Sequence, residues 1–153
     1  MAQSFDEVVL EPQPVVSAKA IGNEGAIGET IMALLTAAQE ALDASGTSPA
    51  GAPFARFDAL DDDQVEVEAG FPVDASFPTD SSIAECRELP GGKAIVTVHM
   101  GGYDGLALAH ARLHIYLVEE ALTTRALAWE FYEDDPEQTP IDQVRTRIIQ
   151  PIE

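Results

Sequence analysis

The feature that most constrains this chain is that its pattern is written twice. Residues 15–73 and residues 94–152 run through the same order: an apolar strand, a glycine-containing turn, a helix, an aromatic strand, an acidic turn, a second strand and a proline. Phe57 aligns with Tyr132 at an offset of 132 − 57 = 75, and the same offset aligns Phe54 with Trp129 and Ala55 with Glu130. Past the acidic turns the offset grows to 151 − 72 = 79, aligning Pro72 with Pro151, as a four-residue insertion in the second turn would produce.

Hydrophobic periodicity places the elements within each copy. Residues 29–44 carry Ile31, Leu34, Leu35, Ala38 and Leu42 at helical spacing, with Gly46 where a C-cap belongs. Residues 104–121 repeat this with Leu106, Ala109, Leu113, Tyr116, Leu117 and Ala121, and Asp104 serves as N-cap or first-turn acid. Strands are expected at 14–22, 53–58, 64–70, 82–88, 93–100, 127–133 and 143–149, with LPGG (89–92) as a turn and DALDDD (58–63) and EDDPEQTP (133–140) as hairpin loops. The expected architecture is α+β: duplicated strand–helix–strand–strand modules, about 5–75 and 82–153, forming one pseudo-twofold antiparallel sheet. Both helices lie on one face of it, and an inter-module ligand groove separates the halves.

Composition narrows the function. The 153 residues, 46% hydrophobic, fit a folded single domain, and the lone Cys86 rules out an intramolecular disulfide framework. The N-terminus MAQSFDEVVLEPQP lacks a basic segment followed by an apolar run, and no run approaches membrane-spanning length, so a cytoplasmic location and no membrane partner are expected. With 8 basic and 27 acidic residues the formal charge is −19, which leaves no basic patch for nucleic acid. An acidic surface suits a saline environment, or attraction of cations or of a basic partner.

One acid stands out. In LAWEFYEDDPEQTP (127–140) Glu130 sits among Trp129, Phe131 and Tyr132. Strand alternation puts Trp129 and Phe131 on one face, expected to pack under the helices, and Glu130 and Tyr132 on the other, toward water or the groove. In residues 64–69, Glu66 and Glu68 alternate against Val65, Val67 and Ala69, and the pseudo-twofold suggests that Glu68 shares Glu130's groove. A carboxylate withheld from water costs several kcal/mol unless a cation or hydrogen bonds compensate. That cost suits a site built for a cation, where each aromatic face adds ~0.5–2 kcal/mol. The same acid can equally act in proton transfer.

The motifs VHMGGYDGL (98–106), WEFYEDDPE (129–137) and RTRIIQPI (145–152), with SPAGAPFARF (48–57) and VEVEAGFPV (65–73), resemble those of GyrI-like domains over nearly the whole chain. Such domains form the effector-binding half of many AraC-type and MerR-type regulators and also occur alone. The resemblance implies an inter-module groove for apolar or aromatic, often cationic ligands, with Glu130 as the pocket acid, Glu68 as its paired acid and Tyr103 as the aromatic of G-x-Y. Some standalone members hydrolyse cyclopropane-containing toxins with a groove Glu and a Tyr; relatives often carry Tyr where this chain has Phe57.

The resulting expectation is a standalone binding module for an apolar, cationic small molecule, without cofactor or metal. Glu130 would meet the charge, Tyr132, Tyr103, Trp129, Phe54 and Phe57 would supply aromatic walls, and Glu68 a second polar contact. The alternatives are a hydrolase using Glu130 with Tyr132 or Tyr103, and an acidic protein partner of gyrase or of a regulator. No helix-turn-helix is evident, so action would run through another chain, with a homodimer open. His110 and His114 share i, i+4 spacing but lack an accompanying acid or Cys; His110 reads as a residue at the groove or core margin. The glycines of NEGAIG and MGGYDG read as turns, lacking a phosphate-loop pattern.

Overall fold

The computed structural model describes residues 3–60, 64–75 and 84–153. Among these, eight strands and two helices follow in the order β1 (Asp6–Leu10), β2 (Gln13–Asn23), α1 (Ile27–Ser45), β3 (Phe54–Ala59), β4 (Gln64–Pro72), β5 (Glu85–Leu89), β6 (Gly92–Met100), α2 (Leu106–Glu119), β7 (Leu127–Tyr132) and β8 (Arg145–Pro151). Short 3-10 turns, Glu24–Ala26 and Tyr103–Gly105, lead into the two helices. The strands form one antiparallel sheet in the order β1-β6-β8-β7-β3-β4-β2-β5. This is the expected α+β architecture. Gly46 ends α1 at φ 68°, its N–H reaching Asp43 O and Leu42 O, as a left-handed C-cap requires. The tip of the first acidic loop, 61–63, and the start of the strand expected at 82–88 lie outside the described residues.

The duplication is written into the pairing register. Val15 lies opposite Pro72 in the first half and Ala94 opposite Pro151 in the second, each shifted by 79. Phe54 opposite Gly70 recurs as Trp129 opposite Ile149, and α2 begins 106 − 27 = 79 residues after α1. The two halves meet where β3 pairs with β7.

Two tight links shape the sheet. Glu11 and Pro12 alone join edge strand β1 to β2, which neighbours the opposite edge, and Pro90 and Gly91 alone join β5 to β6. Two residues span such a gap only if the sheet curls until its edges approach, giving a half-barrel. At Gly91 a Cβ would sit 2.8 Å from Leu10 O, so the two links pass in contact. The LPGG segment is thus a crossing between sheet edges rather than a hairpin. The sequence pattern also missed β1, a five-residue edge strand with Val9 79% exposed.

Curling gives the sheet two buried faces. Inside the curl lie Val15, Phe54, Leu89, Ala94, Trp129, Phe131 and Ile149. On the outer face α1 packs Leu34, Ala38, Ala41 and Leu42 onto Val16, Ala18, Ala55, Val67 and Ala69, while α2 packs Ala109, Leu113 and Leu117 onto Ile95 and Ile148. Both helices share one face, as expected. The expectation that Trp129 and Phe131 pack beneath them is overturned: the bulky aromatics fill the concave interior, and Glu130 and Tyr132 point to the helix side. Among the described residues no helix is long and apolar enough to cross a membrane.

Candidate functional site

Glu130 occupies the middle of the helix-side face. One transverse row of the ladder reads Ala18, Ala69, Ala55, Glu130, Ile148, Thr97. Ala18, Ala69 and Ala55 belong to the core under α1 and Ile148 to the core under α2, so the carboxylate stands on the strip between the two helices. It is 5% exposed, and its Oε2 is buried without a hydrogen bond. The hydroxyls of Thr97 and Thr146 share this unpaired state, and both threonines belong to the same face. Buried polar groups ordinarily find partners, and each that does not costs ~1–3 kcal/mol. Three such atoms on one side of the sheet mark a place built for something other than packing.

The covering groups come from α2 and the turn before it. His110 Nε2 approaches Glu130 Oε2 at 3.6 Å, with the imidazole 40% and the carboxylate 7% exposed. Tyr103 stands edge-on to Tyr132, ring centroids 5.7 Å apart, and is itself 42% exposed. Glycines of MGGYDG aim that tyrosine: Gly101 takes φ 121° and its N–H bonds Val144 O at 2.8 Å. His99 Nε2 hydrogen-bonds Gly102 O at 2.8 Å, and a Cβ on Gly105 would meet the His99 ring at 2.7 Å. The glycines therefore serve a turn, as their spacing predicts. Burial first, then the Glu130 charge and Tyr103, pushes the Tyr132 phenol far up. Tyr103 is raised by burial, then by Asp135, Glu130 and Asp134. Both phenols keep their protons at neutral pH and face the acid as donors or aromatic walls, not as bases.

The remaining expected residues divide. Phe57 lies on the helix side against the α1 core, as does Tyr132. Phe57 stands opposite Ala128 while the Tyr132 N–H bonds Pro53 O, so the two flank the Glu130 row from opposite ends. Glu68 does not share Glu130's groove. It lies opposite Arg56, which lies opposite Trp129, so parity puts it on the concave side. There it accepts a 2.7 Å hydrogen bond from Ser17 Oγ, and the Arg87 guanidinium donates to Ser17 O and Oγ. Phe54 and Trp129 are also concave, Phe54 fully buried and 6.2 Å from Phe131. Glu68, Phe54 and Trp129 thus stand on the face opposite Glu130 and do not share its surroundings. His110, which the sequence reading sets at the groove or core margin, meets Glu130 here, on the apolar stripe 106, 110, 113, 117 where a core residue belongs.

A separate cleft of about 420 Å³, lined by Gln13, Phe131, Glu133 and Arg147 among others, opens elsewhere. Arg147 stacks 4.6 Å over the Phe131 ring and bonds Glu133 at 2.9 Å, so its charge is already met. Over Glu130 the half-exposed groups are Tyr103 and His110.

A curled antiparallel sheet with two helices on one face is consistent with a GyrI-like fold. The chain belongs to the GyrI-like small molecule binding domain family, whose model matches residues 3–153. Among solved structures it is similar to the C-terminal domain of EcmrR, at 18% identity and TM-score 0.75, covering 100% of this chain and 99% of that one. In the EcmrR–DNA complex the likeness has TM-score 0.77 at 17% identity and covers 99% of this chain but 57% of that one, so the chain spans little more than half of full EcmrR. SAV2435 bound to tetraphenylphosphonium is similar at 16% identity and TM-score 0.73, covering 98% and 94% of the two chains. At these identities the structures share the fold alone. No curated protein matches the chain.

Proposed function

We propose that this domain captures apolar, positively charged small molecules on the strip between α1 and α2, for sensing or sequestration of drugs or toxins, with both repeats acting as one binding unit. The observation that carries the reading is the Glu130 carboxylate, buried at the meeting of the two halves with Oε2 unbonded. A cation arriving there gains an acid already stripped of water, so its own desolvation is repaid at close range. Tyr103, Tyr132 and Phe57 supply the faces that attract such a charge. The lipophilic cation held by the SAV2435 neighbour is the chemistry this arrangement suits. The net charge of −19 adds long-range attraction that salt would screen.

The test is a titration of wild type and Glu130→Gln with tetraphenylphosphonium, and with neutral electrophiles followed by product mass. Binding that weakens at least ~10-fold in the variant, about 1.4 kcal/mol, supports the receptor reading. Conversion of an electrophile, lost in Glu130→Gln with binding retained, replaces it with the hydrolase reading, in which Glu130 activates water. Equal affinity in both proteins rejects Glu130 as the cation's partner.

A further inference from the structure

We infer that His110 is the resident counter-ion of Glu130, and that a bound cation takes its place while the imidazole gives up its proton to solvent. This specificity device rests on the reading of Glu130 as the acid that meets the ligand. Its basis is the comparison of the two repeats. His110 corresponds to Ile31, 110 − 31 = 79, and Glu130 corresponds to Ala55, 130 − 55 = 75, the offsets that relate the helices and the central strands. Ile31 packs against the very cluster that holds Ala55. An apolar helix-to-strand contact in the first half is thus an ionisable one in the second, with both members changed together. The 3.6 Å separation of Nε2 and Oε2 is ion-pair distance.

The partners differ in freedom. The carboxylate is 7% exposed and fixed in the sheet, whereas the imidazole is 40% exposed on the helix surface and can turn to water. Around the pair stand Tyr132 from β7, Tyr103 from the preceding turn, His99 from β6, and Asp134 and Asp135, whose fields reach Tyr103. The two phenols are held protonated, His99 Nε2 is tied to Gly102 O, Asp134 is paired with Arg145 at 2.8 Å, and Asp135 adds to the negative field. His110 is the group placed to exchange a proton against an incoming charge. The balance is simple: protonated His110 with ionised Glu130, plus a cation, gives neutral His110, the cation on Glu130 and one proton in bulk water. Affinity therefore falls as pH is lowered, because the complex holds one proton fewer than the free protein.

Tetraphenylphosphonium is the probe, because a permanent cation carries no proton of its own. Calorimetric titration in two buffers of different ionisation enthalpy counts protons released. Wild type should release a measurable fraction of a proton near pH 6 and bind about three- to ten-fold more weakly near pH 5.5 than near pH 8. His110→Gln should release none and lose the pH dependence. Release persisting in His110→Gln, or absent from wild type, overturns the inference and leaves the Glu130 reading standing; unchanged affinity in Glu130→Gln removes that reading instead. Should the probe fail to bind, melting temperatures of the ligand-free proteins decide. His110→Gln should lower the melting point by about 2 °C in wild type and not in the Glu130→Gln background. Equal effects in both backgrounds would mean that the two residues are not paired.

Discussion

Ala55 and Glu130 are equivalent positions of the two repeats, and they are also direct partners across β3 and β7. The pseudo-twofold therefore passes between them, and an exact repeat would set two carboxylates side by side in a buried row. Cβ atoms of such partners lie ~4.5–5.5 Å apart, where like charges exclude one another. The halves share a backbone plan but cannot share this residue. The fully buried alanine leaves the acid its room.

A buried carboxylate met only by the half-exposed His110 at 3.6 Å should still weaken the fold that carries it. Burying an ion pair costs more than burying apolar groups of the same size. Glu130→Leu is expected to stabilise the ligand-free domain by about 1–3 kcal/mol. That corresponds to a rise of about 2–4 °C per kcal/mol in a domain of this size. Calorimetric melting beside a tetraphenylphosphonium titration should show the gain together with lost binding; a lower melting point would mean that the carboxylate is satisfied in the folded protein.

Glu68 predicts the opposite pattern. Ser17→Ala strands its carboxylate on the concave side and should cost about 1–3 kcal/mol in chemical denaturation. Ligand affinity, measured on the folded fraction, should not move. A selective loss of affinity would return Glu68 to the binding site.

Tyr132 gives a signature at alkaline pH. Its folded-state pKa is raised above the unfolded value, so the stability it contributes is complete below about pH 10 and declines above it, as the unfolded phenol ionises and the folded one does not. Among the three tyrosines, tyrosinate absorbance at alkaline pH should include Tyr132 only as the domain unfolds. Tyr132→Phe should flatten the stability loss above pH 10. Ionisation of all three before unfolding would contradict the buried environment.

Phe54 and Phe57 separate the two faces of one strand. Phe54→Leu, in the concave core, should destabilise by about 1–2 kcal/mol without altering affinity. Phe57→Leu, on the helix side one diagonal step from Glu130, should weaken cation binding several-fold at smaller structural cost. Exchanged outcomes would place the ligand inside the curl.

Much of the fold was legible because the repeat fixes element order and periodicity fixes element type, as with Leu34, Ala38 and Leu42 in α1 and Leu113 and Leu117 in α2. Parity was legible as well: Glu130 was rightly set apart from Trp129 and Phe131. Which face meets the helices was not, because alternation is symmetric until the sheet curls. The curl comes from the links at Glu11–Pro12 and Pro90–Gly91, whose meaning appears only once strand order is known. In an open sheet the bulkiest residues would be expected under the helices; here a second interior competes for them. Tyr103, Tyr132 and Phe57 were named from their neighbourhood in motif and repeat, and Tyr132 and Phe57 lie on the helix side with Glu130. His110 was overlooked because its partner lies twenty positions away on another element, and only the polar interruption of an apolar stripe hinted at it.

The half-barrel also separates two jobs that most small domains must do with the same atoms. Because Trp129, Phe54 and Leu89 fill the curl from within, the helix cores on the convex side are not alone in holding the molecule together. The sheet acts as a bulkhead: a receptor can be retuned for a different guest on one side of it, residue by residue, with the hull behind left intact.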